Sequence, residues 1–155
     1  MTRINLVKVE DLADQHLFAE WREIKMVPAS LRRSLKTRSV KDILSGIPKN
    51  YTLNKGHVTF FFNKMLFLYD RYMLLTDELD TRGYSLTQHD PNFIFFRDIP
   101  DIFKTIEWQP TKVDIKVSID RIVIRLNEKP LWYKYHGHNQ LPSYFEKKFN
   151  VLLDH

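Results

Sequence analysis

The fold class turns on the stretch Lys112-Val113-Asp114-Ile115-Lys116-Val117-Ser118-Ile119-Asp120-Arg121-Ile122-Val123-Ile124-Arg125-Leu126. Val113, Ile115, Val117 and Ile119 alternate with polar residues, which is the two-residue period of a half-buried strand. Ile115, Ile119, Ile122 and Leu126 also recur at the three- and four-residue spacing of an amphipathic helix. Pro110 stands before the stretch and Pro130 after it, where helix ends tolerate proline. Taken alone, the alternation leans to a strand.

The segments on either side are less ambiguous. Phe61, Met65, Leu68, Tyr72, Leu75 and Leu79 alternate steps of four and three, which predicts a helix from Asn63 to Arg82. Gly83 supplies its C-terminal stop. Nearer the start, Leu17, Ile24, Leu31 and Leu35 keep helical spacing. Glu10, Asp11 and Asp14 precede them, where a helix N-terminus favours negative charge. Pro28 removes a helix hydrogen bond and predicts a kink or break near Val27. Residues 84–110 hold Pro91, Pro100 and Pro110 and read as irregular, as does the aromatic and basic stretch Trp132 to Gly137. Leu141, Tyr144, Phe145, Val151 and Leu152 suggest a short packed segment in a tail over residues 141–155. No repeat or linker divides the chain, so residues 1–155 are expected to form one domain.

A chain of 155 residues with 43% hydrophobic content can build a real core. It has no cysteine, which excludes disulfides, thiolate zinc sites and cysteine-held iron–sulfur clusters. A reducing compartment is compatible with that. Arg3, Lys8, Glu10, Asp11 and Asp14 leave no room for a signal-peptide apolar region. The longest apolar runs, such as Met65-Leu66-Phe67-Leu68-Tyr69, are too short to span a bilayer, and no membrane partner is expected. The net charge of +5 is unevenly spread. Residues 22–41 carry Arg22, Lys25, Arg32, Arg33, Lys36, Arg38 and Lys41 against Glu23. Residues 121–148 are again basic, and residues 66–101 are acidic. A molecule with one cationic face carries the electrostatic footprint of a phosphate backbone.

Several residues carry chemistry. Removal of Met1 would expose the α-amine of Thr2 beside Arg3. Such an amine titrates near about 7.7–8.0, against about 10.4 for lysine, so part of it is uncharged and nucleophilic at neutral pH. Cationic neighbours would lower its pKa further. Gln15 and Arg22 are seven apart, as are His16 and Glu23. Seven residues are nearly two turns, which puts all four on adjoining stripes of one helix face. That face would cluster an amide, a cation, an imidazole and a carboxylate. His136 and His138 alternate, but without a third ligand they are weak evidence for a metal.

Thr2-Arg3-Ile4-Asn5-Leu6, Leu12-Ala13-Asp14-Gln15-His16-Leu17, Arg22-Glu23, Gly56-His57-Val58-Thr59-Phe60-Phe61 and Trp132-Tyr133-Lys134-Tyr135 resemble, in order, the endonuclease V family of T-even bacteriophages. Its members are pyrimidine-dimer DNA glycosylases and abasic-site lyases. The likeness is close over 2–23, 56–68 and 129–137, and thin over 36–54 and 84–112. It implies an all-α domain built on three main helices, and hence a helix rather than a strand over Val113 to Leu126.

The resemblance also implies the chemistry. The α-amine of Thr2 would be the nucleophile and Glu23 the catalytic carboxylate. Arg3, Arg22, Arg121 and Arg125 would contact phosphates near the lesion, His16 would line the lesion pocket, and Gln15 would be a further DNA-binding residue. Trp132, Tyr133, Lys134 and Tyr135 would help recognise the dimer. The partner would be damaged double-stranded DNA, kinked, with an adenine opposite the dimer extruded. No cofactor or metal is expected, because a covalent imine is itself the electron sink. A monomer in the cytoplasm of a bacterial or phage-infected cell is expected. Met26 departs from the family, which has arginine there; Lys25, Arg32 and Arg33 are nearby cations that could compensate. A glycosylase for another lesion, or a non-catalytic basic DNA-binding protein, are the alternatives the residues leave open.

Overall fold

The computed structural model describes residues 3–87 and 89–154. Helices dominate it. After an extended N-terminal segment and a 3-10 turn at Val9–Asp11 come α1 (Asp14–Glu23), α2 (Met26–Leu35), α3 (Val40–Ser45), α4 (His57–Phe60), α5 (Met65–Thr81) and α6 (Pro91–Phe96). A second 3-10 turn at Asp101–Phe103 leads to α7 (Lys112–Glu128), a two-strand hairpin of β1 (Lys134–Tyr135) and β2 (His138–Asn139), and α8 (Pro142–Leu153). The all-α expectation holds. Among the described residues no helix is long and apolar enough to cross a membrane.

The disputed stretch is the helix α7. Thr111 starts it with a capping box: its hydroxyl accepts from Asp114 N at 3.2 Å, and Asp114 Oδ2 accepts from Thr111 N at 2.9 Å. Ser118, Ile119, Ile122 and Leu126 are its buried stripe, and Val113 is left 73% exposed. The β-branched alternation therefore loses to a strong cap and a buried face of helical period, since strand propensity is largely a packing preference.

The α5 helix follows its predicted stripe and ends in a Schellman motif. Gly83 adopts φ 91°, its N–H donates to Asp80 O at 3.0 Å, and Tyr84 N–H donates to Leu79 O at 3.1 Å. The break expected near Val27 falls earlier, at Ile24–Lys25, and Pro28 lies in the first turn of α2. A proline ring clashes with the carbonyl four residues before it, here that of Ile24, so the helix is interrupted there.

Three expectations of irregularity or extent need correction. Residues 84–110 contain α6, begun by Asp90, whose side chain accepts from Asn92 N at 3.0 Å, with Pro91 in the first turn. Trp132 to Gly137 is not irregular throughout, because Lys134 and Tyr135 pair with Asn139 and His138. The two-residue turn uses positive φ at His136 (49°) and Gly137 (83°), as a tight hairpin of right-handed twist requires. The tail is the helix α8, packed against α7 and the first 3-10 turn, with Phe145 and Phe149 fully buried. Its Leu141 and Val151, expected to pack, are each 56% exposed.

The extended segment at residues 3–7 runs through this core without belonging to any sheet. Side chains satisfy its backbone instead. Ile4 N–H donates to His57 Nε2 at 2.8 Å, and Ile4 O accepts from the Tyr51 hydroxyl at 3.0 Å. Leu6 N–H donates to Ser118 Oγ at 3.0 Å, and Val7 O accepts from Arg71 Nη1 at 2.6 Å. A buried backbone left unpaired would be unfavourable, so these contacts fix the course of the segment.

Candidate active site

α1 presents two stripes, not one face. His16, Ala19, Glu20 and Glu23, at steps of three and four, line a cleft of about 300 Å³. The N-terminal segment adds Arg3 and Asn5, α7 adds Arg121, Ile122 and Arg125, and the chain before β1 adds Tyr133. Gln15 and Arg22 do not line it. Each residue along a helix turns the side chain by about 100°, so a one-residue offset carries them to the neighbouring stripe. Arg22 is exposed, with its guanidinium 5.2 Å from the Phe18 ring centroid.

Gln15 faces a second cleft of about 510 Å³, shared with Phe18, Tyr84, Leu131, Trp132 and Lys134. There its amide holds the hairpin entry: Nε2 donates to Trp132 O at 2.9 Å, and Oε1 accepts from Lys134 N at 3.0 Å. Tyr135 lines neither cleft. Its hydroxyl donates to Glu10 O at 2.8 Å and its ring meets Tyr144 and Phe145 of α8. Thr2 lies outside the described residues.

The charge of the first cleft is set by three guanidiniums around Glu23. Arg3 is held below its usual pKa range by burial first, then by Arg121 and Arg125. Arg121 is lowered by burial and by Arg125, one turn along α7. Arginine nonetheless stays charged in proteins. Glu20 is almost wholly buried and takes Arg71 as its counter-ion, with Nε to Oε2 at 2.7 Å and Nη2 to Oε1 at 3.0 Å. Glu23 has no ion pair among the described residues. Glu23 is therefore the carboxylate with charge to spare beside an excess of cations.

His16 is pushed down to about 4, by burial first and by Arg125 second. It is a neutral imidazole at pH 7, packed on Tyr133 with ring centroids 4.6 Å apart. Its Nδ1 is buried with no hydrogen-bond partner among the described residues. Burial likewise raises the Tyr133 hydroxyl.

The cleft thus unites six of the expected residues: Arg3, His16, Glu23, Arg121, Arg125 and Tyr133. It also depends on residues that sequence reading passed over. Asn5 Nδ2 donates to Glu20 Oε1 at 2.9 Å, and the Glu20–Arg71 pair ties α1 to α5 beneath the cleft. The signal for Glu20 was its place between His16 and Glu23 on one stripe; nothing local marked Arg71. Of the cations that could replace an arginine at Met26, Arg32 is committed elsewhere. It donates to the carbonyls of Phe93, Ile94 and Arg97 and so closes the end of α6. Lys25 lies over the Trp21 ring at 4.6 Å, and Arg33 is exposed.

A family model described as pyrimidine dimer DNA glycosylase matches residues 1–92. That is more than half of the chain, and the chain belongs to this family. The matched segment includes Thr2, Arg3, His16 and Glu23, whereas Arg121, Arg125 and Tyr133 lie beyond it and join the cleft only through the fold.

Proposed function

We propose that residues 1–155 act as one monomeric domain on duplex DNA carrying cyclobutane pyrimidine dimers, with the Thr2 α-amine as nucleophile and Glu23 as the catalytic carboxylate. The observation that carries this reading is the sharing of one cleft by Arg3 and Glu23. Thr2 is covalently next to Arg3, so their Cα atoms are about 3.8 Å apart. The hydrogen bonds that clamp Ile4, Leu6 and Val7 keep the chain leading to the amine from wandering. Cationic neighbours favour the uncharged, attacking form of an amine.

In this mechanism the amine attacks C1′ of the 5′ nucleotide and the glycosyl bond breaks, releasing the base from the sugar. Opening of the sugar ring gives an imine at C1′. Glu23 stabilises the positive charge that develops at the sugar and then helps remove the C2′ proton. The electron pair from that C–H bond forms the C2′–C3′ double bond, and the 3′ phosphate leaves, which nicks the strand. Arg3, Arg121 and Arg125 suit the flanking phosphates, because a planar guanidinium pairs with phosphate through two hydrogen bonds. The amine must belong to Thr2. With Met1 retained it would be displaced by about 3.8 Å, beyond the roughly 3–3.5 Å of a reactive approach.

Borohydride reduction on dimer-containing DNA tests this directly. The expected product is a covalent adduct mapping to the first residue of the mature chain. Methylation selective for the α-amine should strongly impair trapping. An adduct on a lysine would overturn the assignment even if dimers are cut.

A further inference from the structure

Leu131 is 74% exposed and Trp132 is 50% exposed. Such exposure is ordinary on a mobile loop, but this backbone is held. Leu131 O accepts from Asn139 Nδ2 at 2.9 Å, Trp132 O from Gln15 Nε2 at 2.9 Å, and Tyr133 O from Gln140 N at 3.0 Å. Trp132 N donates back to Lys129 O at 3.1 Å. Three successive carbonyls are therefore fixed while Leu131 stands in water and Trp132, half exposed, rests against the Tyr133 ring with the Lys129 ammonium 4.9 Å from its centroid. The next side chain, Tyr133, is buried and lines the cleft with Arg125 and Glu23. Lys129 shares a shallow depression with Pro130, Leu131 and Trp132, and Lys134 shares the second cleft with Leu131. Exposed Lys129 and Lys134 thus flank the apolar pair.

We propose that Leu131, supported by Trp132, is a wedge that enters the base stack of duplex DNA beside the lesion. The inference rests on the reading that the neighbouring cleft takes damaged duplex. A rigid apolar projection among cations fits one surface well: phosphates meet the cations, and the apolar tip fills space between unstacked bases. Apolar wedges of this kind open base steps in other DNA-bending proteins. The wedge would hold open the gap at the lesion while Tyr133, one residue further on, faces the cleft.

The test uses the full chain and a duplex with a reduced, uncleavable abasic site, with 2-aminopurine adjacent to it on the opposite strand. At saturating protein, wild type and Leu131→Met should raise the 2-aminopurine fluorescence, because the base is unstacked. Leu131→Ser should lose most of that rise and bind this duplex roughly tenfold more weakly, about 1.4 kcal/mol. Its thermal melting and the slope of log affinity against log salt should stay as in wild type, since neither packing nor phosphate contacts change. A Leu131→Ser protein with the wild-type rise overturns the wedge. So does a wild type that saturates the duplex without any rise, an outcome that leaves DNA binding intact. A wild type that does not bind the duplex at all overturns the underlying reading, and the wedge with it.

Discussion

Arg71 of α5 grips Glu20 of α1 through two parallel hydrogen bonds of 2.7 and 3.0 Å, and the same guanidinium donates to Val7 O at 2.6 Å. One buried cation thereby joins two helices to the extended segment that leads into the cleft. Removing one member of a buried pair typically destabilises by about 3–5 kcal/mol, because the other charge is stranded. Arg71→Met and Glu20→Met should each unfold at markedly lower urea concentration. The double variant should lose less than the sum of the two. Additive losses in urea titrations would show that the pair is not coupled.

Glu23 shares the cleft with Arg3, Arg121 and Arg125 and forms no salt bridge among the described residues, and the proposed mechanism makes it the catalytic carboxylate. Glu23→Gln should retain binding to dimer-containing duplex and the wild-type melting temperature, yet lose nearly all incision. A rate within about tenfold of wild type corresponds to only about 1.4 kcal/mol of barrier. Single-turnover incision at that level would exclude Glu23 as the catalytic carboxylate.

Arg121 and Arg125 lie one turn apart on α7 and face the same cleft. If they meet phosphates, Arg125→Gln should weaken binding to damaged and undamaged duplex alike. It should also reduce the slope of log affinity against log salt by roughly one. Filter binding across a salt series measures this. An unchanged slope would place Arg125 away from the backbone.

His16 ties stability to pH. Its ordinary value is 6.5, and in the fold burial and Arg125 lower it to about 4. The unfolded chain therefore binds the proton first as pH falls. The stabilising contribution is complete above pH 6.5, declines as pH drops towards about 4, and is gone below that. It amounts to about 3 kcal/mol at most. His16→Phe removes the titrating group and an Nδ1 that has no hydrogen-bond partner among the described residues. Its stability between pH 6.5 and 4 should fall less steeply than that of wild type, as read from urea midpoints. An identical slope would mean that His16 is not the group responsible.

Phe149 of α8 is fully buried. Phe149→Ala should destabilise by about 3–5 kcal/mol, the usual range for an aromatic core truncation. Tyr135 rests on α8, so hydrogen exchange at the β1–β2 hairpin should quicken in the same variant. A change within about 0.5 kcal/mol would make the tail an appendage rather than part of the core.

Local physics sufficed for much of this molecule. The stripe from Met65 to Leu79 and Gly83 after it specify α5, because helical period and a glycine stop act within a few residues of one another. His16 and Glu23 were visible for the same reason. The seven-residue spacing alone puts Gln15 and Arg22 on the same face, but one residue of helical rotation turns them away from the first cleft. Val113, Ile115, Val117 and Ile119 show the converse: their alternation is local, yet the burial of Ile119, Ile122 and Leu126 against distant residues decides for a helix. Resemblance, not periodicity, pointed to that outcome.

The cleft itself is a tertiary product. Arg3, Glu23, Arg121 and Tyr133 come from four separate parts of the chain, and no spacing rule relates them. The clamps on residues 3–7 are equally remote: His57, Tyr51, Ser118 and Arg71 serve backbone groups that have no partner of their own. A sequence records which side chains are able to donate or accept. Only the folded core, by excluding water from those backbone groups, determines which of them must.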